Sequence, residues 1–160
     1  MLTREQAINN FLDQHGKELV IASTGKISRE LWELRKKRGE DNNDFLMMGS
    51  MGCSMAIGLG LAMHIKKQVN VLIGDGSVLM KLGSLATIIK EKPENLRIVV
   101  LNNNCHDSTG GQVDSFEAIK SFVEKYCLII DVEKGSRPDL SRPTDTPEQI
   151  KEKFYEKVFA

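Results

Sequence analysis

Val71-Leu72-Ile73-Gly74-Asp75-Gly76-Ser77 decides how this chain is read, together with Val99-Val100-Leu101-Asn102-Asn103. Each is an apolar, largely β-branched run that ends abruptly in small polar residues. That is the pattern of a buried parallel strand delivering a site at its carboxyl end. Two such strands side by side in an open α/β sheet bring a carboxylate (Asp75), a carboxamide (Asn103) and a Gly-rich backbone to one crevice. Oxygen donors beside bare backbone N–H groups suit a hard divalent cation holding a phosphate.

Working outward, the same alternation of strand and helix continues. Thr3 and Gln6 have capping-box spacing, and Ala7, Ile8, Phe11 and Leu12 then share one helical face to about residue 14. Residues 19–22 read as a short strand ending in Ser23-Thr24-Gly25-Lys26, and a helix follows over 28–38. A strand, a small-residue turn and a helix start make an anion site, or an ordinary βα loop capped by Ser28. Residues 45–48 form the next strand, and Gly49-Ser50-Met51-Gly52 opens a helix over 52–66. Gly58 and Gly60 inside that helix cost about 1 kcal/mol each against Ala, so a strand or a neighbouring subunit is expected to pack close there. A helix over 78–90, a strand over 96–101, a helix over 115–125, a strand over 128–132 and a Pro147-initiated helix to 159 complete the order. The expected fold is α/β: a doubly wound, mostly parallel sheet of about five to six strands with helices on both faces, in one domain over residues 1–160.

The 160 residues suffice for one core. Lys+Arg and Asp+Glu both number 22, which argues against a nucleic-acid surface. The apolar stretch 47–65 holds four glycines, two serines and a His, so a buried helix is expected rather than a membrane span. Cys53, Cys105 and Cys127 are an odd set without C-x-x-C spacing, which supports neither a disulfide framework nor a zinc site. With a polar, charged N-terminus, the chain reads as cytoplasmic.

The glycines fit neither common nucleotide motif. Gly74-Asp75-Gly76 continues to Leu79 and Gly58-Leu59-Gly60 to Met63 where a dinucleotide fingerprint needs Gly, and Gly25-Lys26 is followed by Ile27, which is no P-loop. No acidic pair follows the first strand, as a phosphate-accepting receiver would require. Taken alone, Asp75 reads equally well as a helix N-cap. Met51 reads as core filler, and His106, Asp107 and Ser108 as plain loop polarity.

Gly74-Asp75-Gly76, residues 77–101, then Asn102-Asn103 resembles the cofactor motif of thiamin diphosphate-dependent enzymes. The resemblance implies Mg2+ held by Asp75, Asn103 and the Cys105 carbonyl, and a thiamin diphosphate-binding fold. Cofactor contacts are implied for Ser23, Thr24, Gly74, Gly76, Ser77 and Asn103. Gly49-Ser50-Met51-Gly52 looks like the segment that holds the aminopyrimidine: the Gly49 carbonyl accepts its 4′-amino group, and Met51 wedges the cofactor into a bend.

A narrower resemblance covers residues 19–159. It adds Gly83-Ser84-Leu85-Ala86-Thr87, the His-Asp-Ser and Gly-Gly of 103–111, and Arg137-Pro138-Asp139-Leu140 with Arg142-Pro143. Together these are similar to the phosphonopyruvate and sulfopyruvate decarboxylases, which convert a small anionic 2-oxoacid to an aldehyde and CO2. The resemblance makes His106 and Ser108 candidates for contact with substrate. Lys26, His106, Arg137 and Arg142 are candidates for its terminal anion. It also implies a missing half: the pyrimidine (PYR) domain with its catalytic glutamate, expected on a separate α subunit in a hetero-oligomer, α2β2 or larger. The alternatives are a subunit of another thiamin-dependent enzyme, such as an acetolactate-type carboligase, and a cofactor-binding module without catalysis.

Overall fold

In the computed structural model, which describes residues 1–160, a five-stranded parallel sheet runs in the order β2-β1-β3-β4-β7. The strands are β1 (Leu19–Ala22), β2 (Phe45–Leu46), β3 (Val69–Gly74), β4 (Leu96–Asn102) and β7 (Leu128–Asp131). A small antiparallel pair, β5 (Cys105–His106) and β6 (Gln112–Val113), stands outside it. Helices α1 (Arg4–His15) and α2 (Lys26–Arg38) cover one face; α3 (Ser54–Ala62), α5 (Leu82–Glu91) and much of α7 (Pro147–Phe159) cover the other. Short helices α4 (Asp75–Met80) and α6 (Lys120–Val123) complete the chain.

Alternation along the strands sorts the core. Ile21, Val71, Ile73 and Val100 point toward α3 and α5, while Val20, Leu72, Val99 and Leu101 point toward α1 and α2. β1, β3 and β4 are buried almost throughout, as continuous apolar runs in a twice-covered parallel sheet must be. The capping box at Thr3 forms in both directions, with Gln6 N donating to Thr3 Oγ1 at 3.1 Å and Thr3 N to Gln6 Oε1 at 2.9 Å. At the amino-terminal rim of the sheet, Asn70 is fully buried and donates to Glu18 Oε2 at 2.8 Å while accepting from Arg97 Nη1 at 2.7 Å.

Several boundaries differ from expectation. The helix expected over 52–66 is only Ser54–Ala62, because Gly52 sits at φ 88° and cannot be helical. A Cβ at Gly58 would lie 2.4 Å from Val71 Cγ2, so the close strand is β3; nothing lies within 4 Å of one at Gly60. The helix expected over 78–90 starts at Asp75 and breaks at Lys81 (φ −137°, ψ 43°), whose Cγ would lie 2.7 Å from a Cβ added at Gly52. The helix expected over 115–125 is a 3-10 turn at Phe116–Ala118 plus the four-residue α6, arranged around the fully buried Phe116. α2 begins at Lys26, and Ser28 donates to the Gly25 carbonyl at 3.2 Å rather than capping the helix.

Candidate functional site

In this strand order, the side to which the next strand is added reverses between the parallel β1 and β3, one leading on to β2 and the other to β4. Ligands of open α/β sheets bind outside the carboxyl ends of strands at such a switch point. Ser23-Thr24-Gly25 leaves β1 there, Asp75 leaves β3, and Asn103 leaves β4, with Gly74 in register with Leu101. A cavity of about 200 Å³ opens at these three tips.

Asp75 organises the floor. It is 3% exposed, and Oδ2 accepts from the backbone N–H of Asn103 at 2.8 Å and of Asn104 at 2.6 Å. Its Oδ1 accepts from Gly76 N at 2.8 Å. Two consecutive N–H groups reach one oxygen because Asn104 turns into the left-handed region at φ 54°, which Asn tolerates better than most residues. Gly74 takes the N-cap position and Asp75 is the first helical residue, so the simple N-cap reading of Asp75 does not hold. Burial raises the Asp75 pKa, the three N–H donors offset this only in part, and Asp114 adds repulsion. Asp114 itself keeps a buried carboxylate oxygen, Oδ2, without a partner.

The walls are built by close approach. A Cβ on Gly76 would fall 2.5 Å from the His106 ring and 3.4 Å from Met51 Cε, so both side chains close over bare backbone. A Cβ on Gly25, at φ 94°, would fall 2.7 Å from Ser108 Oγ. Ser23 lies behind the cavity, fully buried, with its hydroxyl donating to Ser77 Oγ at 3.2 Å. Thr24, Met51, Gly74, Gly76, Ser77, Asn103, Cys105, His106 and Ser108 thus meet with Asp75 around one cavity. Gly49 does not join them; it is exposed and lines a neighbouring groove with Met48 and Ile57. Burial, reinforced by Asp107, pushes the Cys105 thiol up to about 11, so the group it can offer a hard cation is its carbonyl.

Of the cations considered for a substrate's terminal anion, Lys26 and His106 line the cavity. Arg142 lies in the adjoining groove beside Thr24 and Arg29. Arg137 is turned away and pairs with Glu33, Glu5 and Asp139.

Sequence reasoning missed the polar system beneath the loop. Arg4 and Glu30, 5% and 3% exposed, form a two-pronged pair, with Nε donating to Oε2 at 2.8 Å and Nη2 to Oε1 at 3.0 Å. Arg4 Nη1 also donates to Asp107 Oδ2 at 3.0 Å. A signal existed. Arg4 shares the helical stripe of Ala7, Ile8 and Phe11, and Glu30 that of Ile27, Leu31 and Leu34. A charge on an apolar stripe must find a buried partner.

The residues fit a magnesium–diphosphate unit. A buried carboxylate with no cation acting on it, a carboxamide and a backbone carbonyl form a hard-oxygen set, and Asp114 contributes an orphaned oxygen nearby. No group of three or more His, Cys, Asp or Glu side chains that could hold a metal ion is present, so the oxygen set draws on a carboxamide and a backbone carbonyl beside one carboxylate.

Fold and site together define a cofactor-binding α/β domain of the thiamin diphosphate type. The family model described as "Thiamine pyrophosphate enzyme, C-terminal TPP binding domain" matches residues 23–140, and the chain belongs to this family. It is 46% identical over 112 residues to a sulfopyruvate decarboxylase subunit beta of Methanothermobacter thermautotrophicus, covering 70% of this chain and 58% of that protein. A protein of the same name from Methanocaldococcus jannaschii is 36% identical over 143 residues, covering 89% of this chain and 67% of that one. A phosphonopyruvate decarboxylase of Streptomyces viridochromogenes is 46% identical over 111 residues, 69% of this chain but only 27% of its relative. The chain therefore spans between 16% and 67% of the length of the curated relatives it matches. No helix is long and apolar enough to cross a membrane.

Proposed function

We propose that the chain is the β subunit of a thiamin diphosphate- and Mg2+-dependent decarboxylase that converts 3-sulfopyruvate or 3-phosphonopyruvate to the corresponding aldehyde and CO2. One observation carries the reading: the buried Asp75 carboxylate, without a cation, 2.8 Å from the backbone of Asn103 on the neighbouring strand tip. Asp75, Asn103 and the Cys105 carbonyl would hold the metal, and Thr24 and Ser77 the diphosphate. Bound thiamin diphosphate supplies the electron sink for decarboxylation. Met51 and His106, packed over Gly76, shape the wall against which the organic part of the cofactor would rest. Lys26 provides a cation at the mouth for an anionic 2-oxoacid.

The site is half a site. Small-molecule pockets usually enclose about 300–1,000 Å³, and the cavity here is about 200 Å³. Exposed Met48, Ile57, Met63 and Met80 suit coverage by another chain. That chain would be an α subunit carrying the PYR domain and its glutamate, in an α2β2 or larger assembly. The three free thiols suit a reducing cytoplasm.

The test is reconstitution with candidate α subunits, thiamin diphosphate and Mg2+, followed by product analysis on sulfopyruvate, phosphonopyruvate and pyruvate. Aldehyde and CO2 from one of the first two is the expected result. Acetolactate from pyruvate would move the assignment to a carboligase. Tight cofactor binding without turnover under any partner would reduce it to a binding module.

A further inference from the structure

Asp107 lies outside every role assigned above, yet it is the most heavily used acceptor near the site. Its Oδ2 accepts from Asn103 Nδ2 at 2.6 Å, Arg4 Nη1 at 3.0 Å and Gly135 N at 3.0 Å. Its Oδ1 accepts from Cys105 Sγ at 3.1 Å. Arg4 closes the system from below by also donating to the Gly135 carbonyl at 3.2 Å and gripping Glu30. Residues 4, 30, 103, 107 and 135 are thereby tied into one network beneath the tip of β4.

The consequence falls on Asn103. A carboxamide has two orientations related by a half-turn, with oxygen and NH2 exchanged. In the one present, Nδ2 donates to Asp107 and Oδ1 accepts from Cys105 N at 3.2 Å. The reversed amide would set its oxygen against the Asp107 carboxylate and its NH2 against an N–H. Both contacts would be repulsive, the more so because the pair is part-buried rather than in open water. Only the observed orientation leaves an oxygen, rather than an NH2, beside Cys105 N at the tip of β4.

We propose that Asp107, held by Arg4, which Glu30 grips in turn, is a positioning residue that fixes the Asn103 amide with its oxygen toward the metal. This rests on the magnesium reading of Asp75 and Asn103 given above. Residues that orient a metal ligand from behind commonly change affinity by about 10–100-fold when lost. The neighbouring Asn102 provides an internal control, because its Nδ2 donates at 2.7 Å to a different carboxylate, Asp131, away from the site.

The test compares the full chain with its Asp107→Ala, Asp107→Asn and Asp131→Ala variants in two measurements. The first is the side-chain NH2 signal of Asn103 in 15N spectra without metal or cofactor. The second is Mn2+ uptake by electron paramagnetic resonance in the presence of thiamin diphosphate. Asp107→Ala is expected to lose the hydrogen-exchange protection of that NH2 and to weaken Mn2+ binding tenfold or more. Asp107→Asn can keep an acceptor toward Asn103 by turning its own NH2 to Cys105. It should retain the protection and weaken Mn2+ only several-fold, and it carries the test if the alanine variant does not fold. Asp131→Ala should change neither. Unaltered Mn2+ affinity in both Asp107 variants, or equal weakening by Asp131→Ala, overturns the proposal. A wild-type chain that takes up no Mn2+ with thiamin diphosphate, alone or with candidate α subunits, sinks the cofactor reading instead, and the metal half of this one with it. The amide signal then still decides whether Asp107 sets the orientation.

Discussion

Replacing Gly58 by Ala and, separately, Gly60 by Ala adds the same methyl to the same helix, yet the two changes should move stability in opposite directions. Both glycines lie inside α3, so each substitution recovers about 1 kcal/mol of helix propensity. At Gly60 nothing stands within 4 Å of the new carbon, and the full gain should appear. At Gly58 the carbon would lie 2.4 Å from Val71 Cγ2 and 3.2 Å from Leu96 Cδ1. Val71 is fully buried in β3 with no space to retreat, so α3 must lift off the sheet. Overpacking of this kind costs about 1–3 kcal/mol. With so short a contact the upper part of that range applies, leaving Gly58→Ala about 1–2 kcal/mol less stable than wild type. The two variants should thus differ by about 2–3 kcal/mol. At about 2–4 °C per kcal/mol for a chain of this size, that separates their melting temperatures by about 4–12 °C. Urea titrations with unchanged m-values would measure it. Equal shifts of the same sign would show that α3 does not sit on β3 as described.

Asp75→Ala should abolish measurable magnesium-dependent thiamin diphosphate binding in calorimetry, since it removes the carboxylate at the tip of β3 and unpairs three N–H donors; unchanged affinity would refute the site. Asp44→Ala breaks a pair in which Arg35 donates at 2.7 and 2.9 Å to a 2%-exposed carboxylate, and should cost about 3–5 kcal/mol in denaturant titration. Lys157 has its pKa lowered by burial, which the attraction of Asp44 only partly offsets. The unfolded chain then holds that proton more tightly, so stability should rise with pH between the depressed folded value and the ordinary lysine value near 10.4, a gain that Lys157→Met should remove from a pH series of melting curves. Burial pushes the Cys127 thiol up to about 11, and it should resist maleimide at pH 8 until the chain unfolds, as timed mass spectrometry would show.

The strand tips were legible because their signal is local. Val71–Gly74 and Val99–Leu101 are apolar without interruption, so both had to be buried parallel strands, and pairing them put Asp75 beside Asn103. The cap at Thr3 was equally plain, since both residues of its box lie within three positions. What sequence could not supply was anything set by contact at long range. Lys81 has no helix-breaking chemistry of its own; the helix breaks there beside the Gly52 turn, a neighbour distant in sequence. The hairpin at Cys105–Val113 was hidden in a run of polar residues without period. Gly49, which the family resemblance set against the cofactor, lines a neighbouring groove with Met48 and Ile57. Asp107 looked like loop polarity because its partners, Arg4, Asn103 and Gly135, come from three separate parts of the chain.

The Asn70 ladder with Glu18 and Arg97 sits on the rim of the sheet opposite the cavity, a full strand length from Asp75. Folding strength and chemistry are therefore written at different ends of the same strands. An engineer could redesign the ladder for heat tolerance, or hang a fluorescent reporter beside it, and leave the reacting end of the protein as it is.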